Sequence, residues 1–459
     1  MSSVRLQRKI GLSGAVFLLV GHIVGASIFI LPGQLAAEAG PAVFLAYLIA
    51  CIPAIVNCLI AAQVGSILPV SAGDYVFTSL ALHPLLGFLK VWSGMLSLIV
   101  SVPILAFGFA DYMAFFLPDV PRLGIALGIV LAVVLINLLG LHASVRVQMG
   151  MVSVFVLALL VFGIGGLFHL DLQLLTPMVP NGLGAVLSAA VPAFYSYSGF
   201  LTFVVIGEEI KDPGRTIPLT LLFSFLVVAS IYTLVTLVLP GLVPWQQLGG
   251  MVAPMGSAAR LFLPEWFAVV ITVSALLAAA TSINVLVLTT SRSFFALARN
   301  QVYAPVLARL DPRTGEPWLA LLLVGFLAIC GVAVQGKIIE YAAVSVIGVM
   351  LYGLVWALAL LRLPTAFPEH YRQAVMRLKP RTLGLIAGVK VVVSFGFLYV
   401  GIRDNPTPAM LYLVLLAAGA AYYFYRQRAL VSRGISLAAL LREEASSTLK
   451  RPERSATPL

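Results

Sequence analysis

The stretch VGHIVGASIFILPG, residues 20–33, lies inside an otherwise apolar N-terminal run. Gly21, His22, Gly25, Ser27 and Pro32 are poor residues for the interior of a membrane-spanning helix. Backbone that unwinds in hydrocarbon has no water to bond, so it persists only where it is buried in protein or lines a cavity. A chain that places such residues at this depth is expected to break its helix there for a purpose.

The rest of the sequence sets the context. The chain has 459 residues, of which 61% are hydrophobic and 10% charged, with a mean hydropathy of +1.07. A soluble fold of this length needs more polar surface, so the composition indicates an all-α polytopic membrane protein. Twelve apolar segments are long enough to cross a bilayer. They lie near 12–35, 42–68, 85–110, 122–141, 147–168, 183–207, 216–239, 264–290, 318–335, 339–362, 383–402 and 408–425. The first, without a small-residue cleavage site behind a short apolar core, reads as a retained span rather than a signal peptide. Cys51, Cys58 and Cys330 all sit in apolar runs, which predicts small core residues and no disulfide framework.

The net charge of +11 raises nucleic acid as a partner, but the basic loops lack the interleaved aromatics that would stack on bases. If the N terminus is cytoplasmic, most of the 28 lysines and arginines fall on the inner side, Lys90 among them. Only Arg122, Arg260, Lys337 and Arg403 face out, and Lys390 falls inside a span. The excess is therefore a topology signal for a cell-membrane protein with both termini cytoplasmic and anionic lipid as neighbour. Lys390 is expected to snorkel toward an interface or to pair at the helix periphery.

Residues 1–362 are expected to form a core of ten spans, 363–382 a cytoplasmic loop, 383–425 two further helices, and 426–459 a tail with a short amphipathic helix and a disordered end. Five spans after the first break, YSYSG at residues 195–199 interrupts the sixth. Paired interruptions in corresponding positions of two halves point to a transporter site at the midplane, and an odd offset inverts one half relative to the other. Such breaks are chemically useful. The N–H groups that open a half-helix carry partial positive charge, and the C=O groups that close one attract cations. An α-amino acid presents one carboxylate and one ammonium, so two breaks hold it without a charged side chain. No Asp or Glu lies in the middle of a span, which favours a net-neutral zwitterion over a cationic substrate. Close helix packing is the competing reading of Gly21 and Gly25.

Four stretches in order resemble the amino acid–polyamine–organocation permeases: residues 20–33; LPVSAGDYVF, 68–77; FYSYSGFLTFVVIGEEIKDPGRTIP, 194–218; and SINVLVLTTSRSFFALARNQVYAP, 282–305. The resemblance implies an inverted repeat of five plus five spans, with helices 1 and 6 discontinuous, two peripheral C-terminal helices, alternating access and amino acid transport. It also implies that N–H groups of Gly25, Ala26 and Ser27 take the substrate carboxylate, that C=O groups of Ile23, Tyr195 and Ser196 take the ammonium, that Ser198 lies in the site, and that Tyr195 or Phe200 lids it. Ser27 stands where the family usually has glycine and narrows the floor. Leu201 stands where many members have a polar residue or an acid.

The driving ion stays open. Phe155 occupies the span-5 position where some members carry a lysine. Ala278, Thr281 and Ser282 repeat the spacing of sodium ligands in related symporters, with Gly21 and Val24 supplying carbonyls, so sodium is the candidate ion and no other cofactor is expected. Exchange and proton coupling, the latter through His22, are the alternatives, and His22 is otherwise a neutral hydrogen-bonded residue between helices. Phe155 argues against lysine-mediated coupling. An enzyme is disfavoured because the five histidines fall on different spans with no converging nucleophile or metal set. A channel is disfavoured by the lack of a filter repeat or charge ring. A sensor that binds amino acid without moving it would keep the same site.

Overall fold

The computed structural model describes residues 10–67, 73–140, 145–200, 210–299, 301–432 and 434. The motif residues 68–72 and 201–209, Leu201 included, and nearly all of the expected tail lie outside them. Among the described residues the fold is helical, with one isolated parallel bridge, Ile10 to Ile210.

The helices in order are α1 (Leu12–Ile23), α2 (Ser27–Ala39), α3 (Val43–Ile67), α4 (Gly73–Ala81), α5 (Pro84–Met113), α6 (Arg122–Leu138), α7 (Val145–Leu167), α8 (Gly182–Tyr195), α9 (Pro213–Leu242), α10 (Trp245–Leu248), α11 (Pro254–Ala259), α12 (Glu265–Arg299), α13 (Trp318–Ala333), α14 (Ile338–Ala366), α15 (Pro368–Gln373), α16 (Pro380–Asp404) and α17 (Pro406–Val431). Proline opens α5, α9, α16 and α17, where its missing N–H costs nothing because the first turn has no intrahelical acceptor. Among the described residues eight segments are long and apolar enough to cross a membrane, and α1, α6, α8 and α13 are shorter apolar helices.

Two groups of helices meet at the site. In one, α9 packs against α1, α3 and α7, and α3 packs against α8. In the other, α5 packs against α6, α12 and α13. Helix α14 lies along α5 on one side and α16 on the other. The bridge at Ile10, with Lys211 N–H donating to Ile10 O at 2.9 Å, ties the chain just before α1 to the chain just before α9.

Several boundaries and side-chain placements differ from expectation. Helix α14 continues to Ala366 and α16 starts at Pro380, so the loop expected at 363–382 contracts to 367–379 and carries α15. Helix α17 runs on to Val431, past the expected end at 425. Lys390 neither snorkels nor sits at the periphery: it is 0% exposed, and its Nζ lies 3.9 Å from Met350 Sδ in the space left by Gly353. A Cβ at position 353 would sit 2.5 Å from Lys390 Cε, so glycine is what admits the lysine. Lys90, expected on the inner surface, is 3% exposed and sits 4.2 Å above the Trp356 ring. In both cases long apolar stems pack between helices, and a ring face or a thioether replaces water at the tip. Cys58 is buried, Cys51 half-buried and Cys330 exposed, all three as free thiols, so Cys330 is not a core residue.

Candidate functional site

Helix α1 ends at Ile23. Val24 (φ −74°, ψ 63°) leaves the helical region while its N–H still bonds Val20 O. Gly25 N–H turns back onto Ile23 O at 2.7 Å, and α2 restarts at Ser27 with Ala26 as its cap. The first helical N–H groups of α2, at Ser27 and Ile28, have no acceptor within their own helix. Together with the helix dipole they make a partial positive charge aimed into the break.

The second break closes α8 at Tyr195. Ser196, Tyr197 and Ser198 N–H groups bond back to Ala193, Phe194 and Tyr195 oxygens, and the chain then turns at Gly199 with φ +126°. That backbone region is open to glycine and almost nothing else. The absent side chain also has a spatial reason: a Cβ on Gly199 would lie 2.8 Å from His22 Cδ2 and 3.2 Å from Ile23 Cγ1. The two interruptions therefore pack directly on one another, with His22 wedged against the glycine.

Their junction is held by Tyr232 of α9. Its hydroxyl lies 2.9 Å from Ile23 O and 3.0 Å from Ser196 O, donating to both carbonyls. Two of the three oxygens expected to take a substrate ammonium thus already share one donor. Ile23 O also accepts the Gly25 N–H at 2.7 Å, so a substrate N–H at that oxygen must share it with two donors already in place. Around Tyr232 stand Tyr47 of α3 and Tyr197, with ring centroids at 6.0 and 5.0 Å. Tyr47 reaches Ser196 Oγ at 3.4 Å, and Cys51 donates to Tyr197 at 3.2 Å. Tyr197 is accordingly a packing residue of this cluster. None of these contacts places a formal charge at the break.

Of the expected substrate residues, Ile23, Gly25, Ala26, Ser27, Tyr195, Ser196, Ser198 and Phe200 all lie on the two breaks, and Ser27 and Phe200 are buried. Phe200 leans on Phe225 of α9, with centroids 6.0 Å apart. Ser198 Oγ has no hydrogen-bond partner among the described residues. Tyr195 turns to Ser101 of α5. From there a hydroxyl ladder leads away: Ser101 Oγ donates to Ser97 O at 2.7 Å, Ser97 Oγ to Ser93 O at 3.0 Å, and Tyr412 of α17 caps it at 2.7 Å from Ser93 O.

The expected ion residues are less unified. Ser282 of α12 lies against the first break, since a Cβ on Gly25 would stand 2.4 Å from its Oγ. Thr281 donates inside its own helix, to Leu277 O at 2.8 Å and Ala278 O at 3.1 Å. Gly21 makes room for Val152 of α7, 2.2 Å from where its Cβ would be. So Ser282 meets the break, Thr281 donates to Leu277 O and Ala278 O of its own helix, and Gly21 has a packing contact. Sequence reasoning missed Tyr232, Tyr47 and Ser101. They lie on other helices, and no local spacing links them to the breaks.

A family described as amino acid permease matches residues 10–420. The branched-chain amino acid permease BcaP of Bacillus subtilis is 28% identical over 70% of this chain and 73% of its own length. The methylthioribose transporter of the same organism is 25% identical over 71% of this chain and 75% of its own. Cationic amino acid transporter 9 of Arabidopsis thaliana, chloroplastic, is 29% identical over 67% of this chain and 58% of its own. With the family match running through both breaks and nearly every described helix, the chain belongs to the amino acid permeases of the amino acid–polyamine–organocation superfamily.

Proposed function

We propose that this chain is a secondary transporter, not an enzyme, carrying net-neutral zwitterionic amino acids across the cell membrane by alternating access. The observation that carries the reading is the junction of two uncharged helix breaks at Tyr232, with an N-terminal helix end on one side and closing carbonyls on the other. In this reading α1 with α2 form the discontinuous first of twelve spans in a five-plus-five inverted repeat, and α8 opens the sixth. Both termini are cytoplasmic, and α16 and α17 follow the repeat. The substrate carboxylate lies at the start of α2. Its ammonium shares Ile23 O and Ser196 O with Tyr232, and Tyr195 and Phe200 cover the side chain.

The relatives' names pull in different directions, branched-chain in one case and cationic in another. The lack of an acid in mid-span supports the neutral side, because a cationic side chain would need a buried counter-charge. Apolar substrates of modest size fit a floor narrowed by Ser27.

For coupling, sodium bound by Gly21, Val24, Ala278, Thr281 and Ser282 remains the leading proposal. The Thr281 proton is used within α12, yet its oxygen lone pairs stay free for a hard cation. The same bond supports the second reading, amino acid exchange without an ion, in which Thr281 is an ordinary back-bonded residue of a spanning helix.

The test is uptake of labelled amino acids by purified protein in liposomes, with sodium or choline outside and with or without amino acid inside. Uptake of neutral amino acids is expected, and Ser27→Phe is expected to abolish it while leaving membrane insertion intact. Normal uptake by Ser27→Phe would remove the first break from the site. Failure of the wild type to move any amino acid, despite binding one, would make the chain a sensor. Dependence on a sodium gradient that Ser282→Ala removes would support the ion site, and indifference to sodium with dependence on internal amino acid would establish exchange.

A further inference from the structure

The contracted connection between α14 and α16 is more than a linker. After α15 it runs as extended chain, with Ala374 at φ −63° and ψ 135°. Gln63, fully buried near the end of α3, pairs with it as a neighbouring strand would. Its Nε2 donates to Met376 O at 2.9 Å, and its Oε1 accepts Leu378 N–H at 2.9 Å. Ser66, nearly one turn on, accepts Met376 N–H at 3.1 Å and donates to Gly214 O of α9 at 3.1 Å. Gly214 has no side chain because Val375 occupies that space: a Cβ would come within 3.0 Å of Val375 Cγ2. Tyr371 donates to Leu378 O, folding the connection on itself, and Phe367 lies 5.7 Å from the Phe77 ring of α4. Arg372, Arg377 and Lys379 point outward and are exposed.

This arrangement has a specific mechanical meaning. The connection is covalently part of α14 and α16, and α14 packs along α5. Its hydrogen-bond partners, Gln63 and Ser66, both sit near the end of α3, in the other group of helices, and Ser66 in turn donates to Gly214 O at the start of α9. A side-chain amide that satisfies both a peptide N–H and a peptide C=O is a directional and reversible attachment. Two buried residues thus fasten the two groups together at one mouth of the bundle, the mouth on which the basic residues gather.

We propose that residues 374–378 are a latch that closes the inner mouth, and that Gln63 and Ser66 must release Met376 and Leu378 before a bound amino acid leaves on that side. The proposal rests on the alternating-access reading given above. Outer opening leaves the latch engaged, and inner opening requires it to detach.

The experiment compares wild type with Gln63→Leu, Gln63→Glu and Ser66→Ala in nanodiscs and in oriented liposomes. Trypsin cleavage after Arg372 and Arg377 reads latch release directly. Losing both bonds in Gln63→Leu is expected to speed cleavage by about tenfold or more. Gln63→Glu keeps the acceptor for Leu378 N–H and loses the donor to Met376 O only when ionised, whereas Ser66→Ala loses its contact to Met376 at any pH. Ser66→Ala is therefore expected to speed cleavage by about threefold, and Gln63→Glu to do so as pH rises through its ionisation. Efflux of preloaded neutral amino acid toward the inner face is expected to change in the same order. If Gln63→Leu does not assemble, the two milder variants decide. Unchanged cleavage in variants that melt like wild type would overturn the latch, as would faster cleavage with unchanged efflux, since the contact would then be structural only. A wild type that moves no amino acid would overturn the transport reading instead, and the cleavage comparison would still report on the attachment.

Discussion

Replacing Tyr232 by phenylalanine is expected to lower uptake efficiency by about 10- to 100-fold while the helices stay assembled. The ring contacts with Tyr47 and Tyr197 survive the change, because phenylalanine keeps the aromatic body. What disappears is one proton shared between Ile23 O and Ser196 O. Ile23 O keeps the Gly25 N–H, so the loss falls mainly on Ser196 O; a buried carbonyl that loses a donor costs about 1–3 kcal/mol, and each 1.4 kcal/mol is a factor of ten. Those two oxygens are also the ones assigned to the substrate ammonium, so the loss should fall on apparent affinity as well as on the geometry of the breaks. The check is KM and maximal rate in liposomes beside the melting temperature. A large loss of uptake with little change in melting identifies a positioning role for Tyr232. Equal falls in both would make it a general packing residue, and wild-type KM would mean that the carbonyls hold the ammonium unaided.

The two breaks were legible in the sequence because they are written in consecutive residues. Gly25 beside Ser27, and Ser198 beside Gly199, are anomalies in an apolar run, and physical cost makes an anomaly informative. Tyr232 was not legible, since a tyrosine in a spanning helix reads as ordinary packing and only the tertiary fold brings it to both carbonyls. Lys390 illustrates an opposite error. The rule that lysines in spans reach for an interface assumes there is no room between helices, and Gly353 supplies that room from a different helix. Gln63 was silent for a related reason. Its partners are the backbone of residues more than three hundred positions away, and backbone partners leave no mark in composition. Thr281 and Ser282 share a helix face in the sequence, but the structure gives them different neighbours. Spacing alone does not distinguish a ligand face from a back-bonded hydroxyl.

The largest expected loss comes from Gly199→Ala, a single methyl group at the contact between the breaks. Two costs coincide there. At φ +126° an L-residue is strained by about 1–3 kcal/mol. Its Cβ would also fall 2.8 Å from His22 Cδ2 and 3.2 Å from His22 Nε2, inside van der Waals contact, so the ring must shift. Uptake is expected to fall by about 100-fold or below detection, with protein still present in the membrane. Combining Gly199→Ala with His22→Ala separates the causes, because the smaller residue removes the collision with the ring but leaves the backbone strain and the tighter contact with Ile23 Cγ1. Partial recovery of the double variant, by about tenfold over Gly199→Ala, is the outcome consistent with both costs acting. Full recovery would assign the defect to the collision alone, and no recovery would place it in the backbone of the second break. His22→Ala by itself supplies the reference: if it transports normally in every sodium and pH condition, the histidine serves the contact with Gly199, whereas loss of a pH dependence seen in wild type would make it the proton-linked residue.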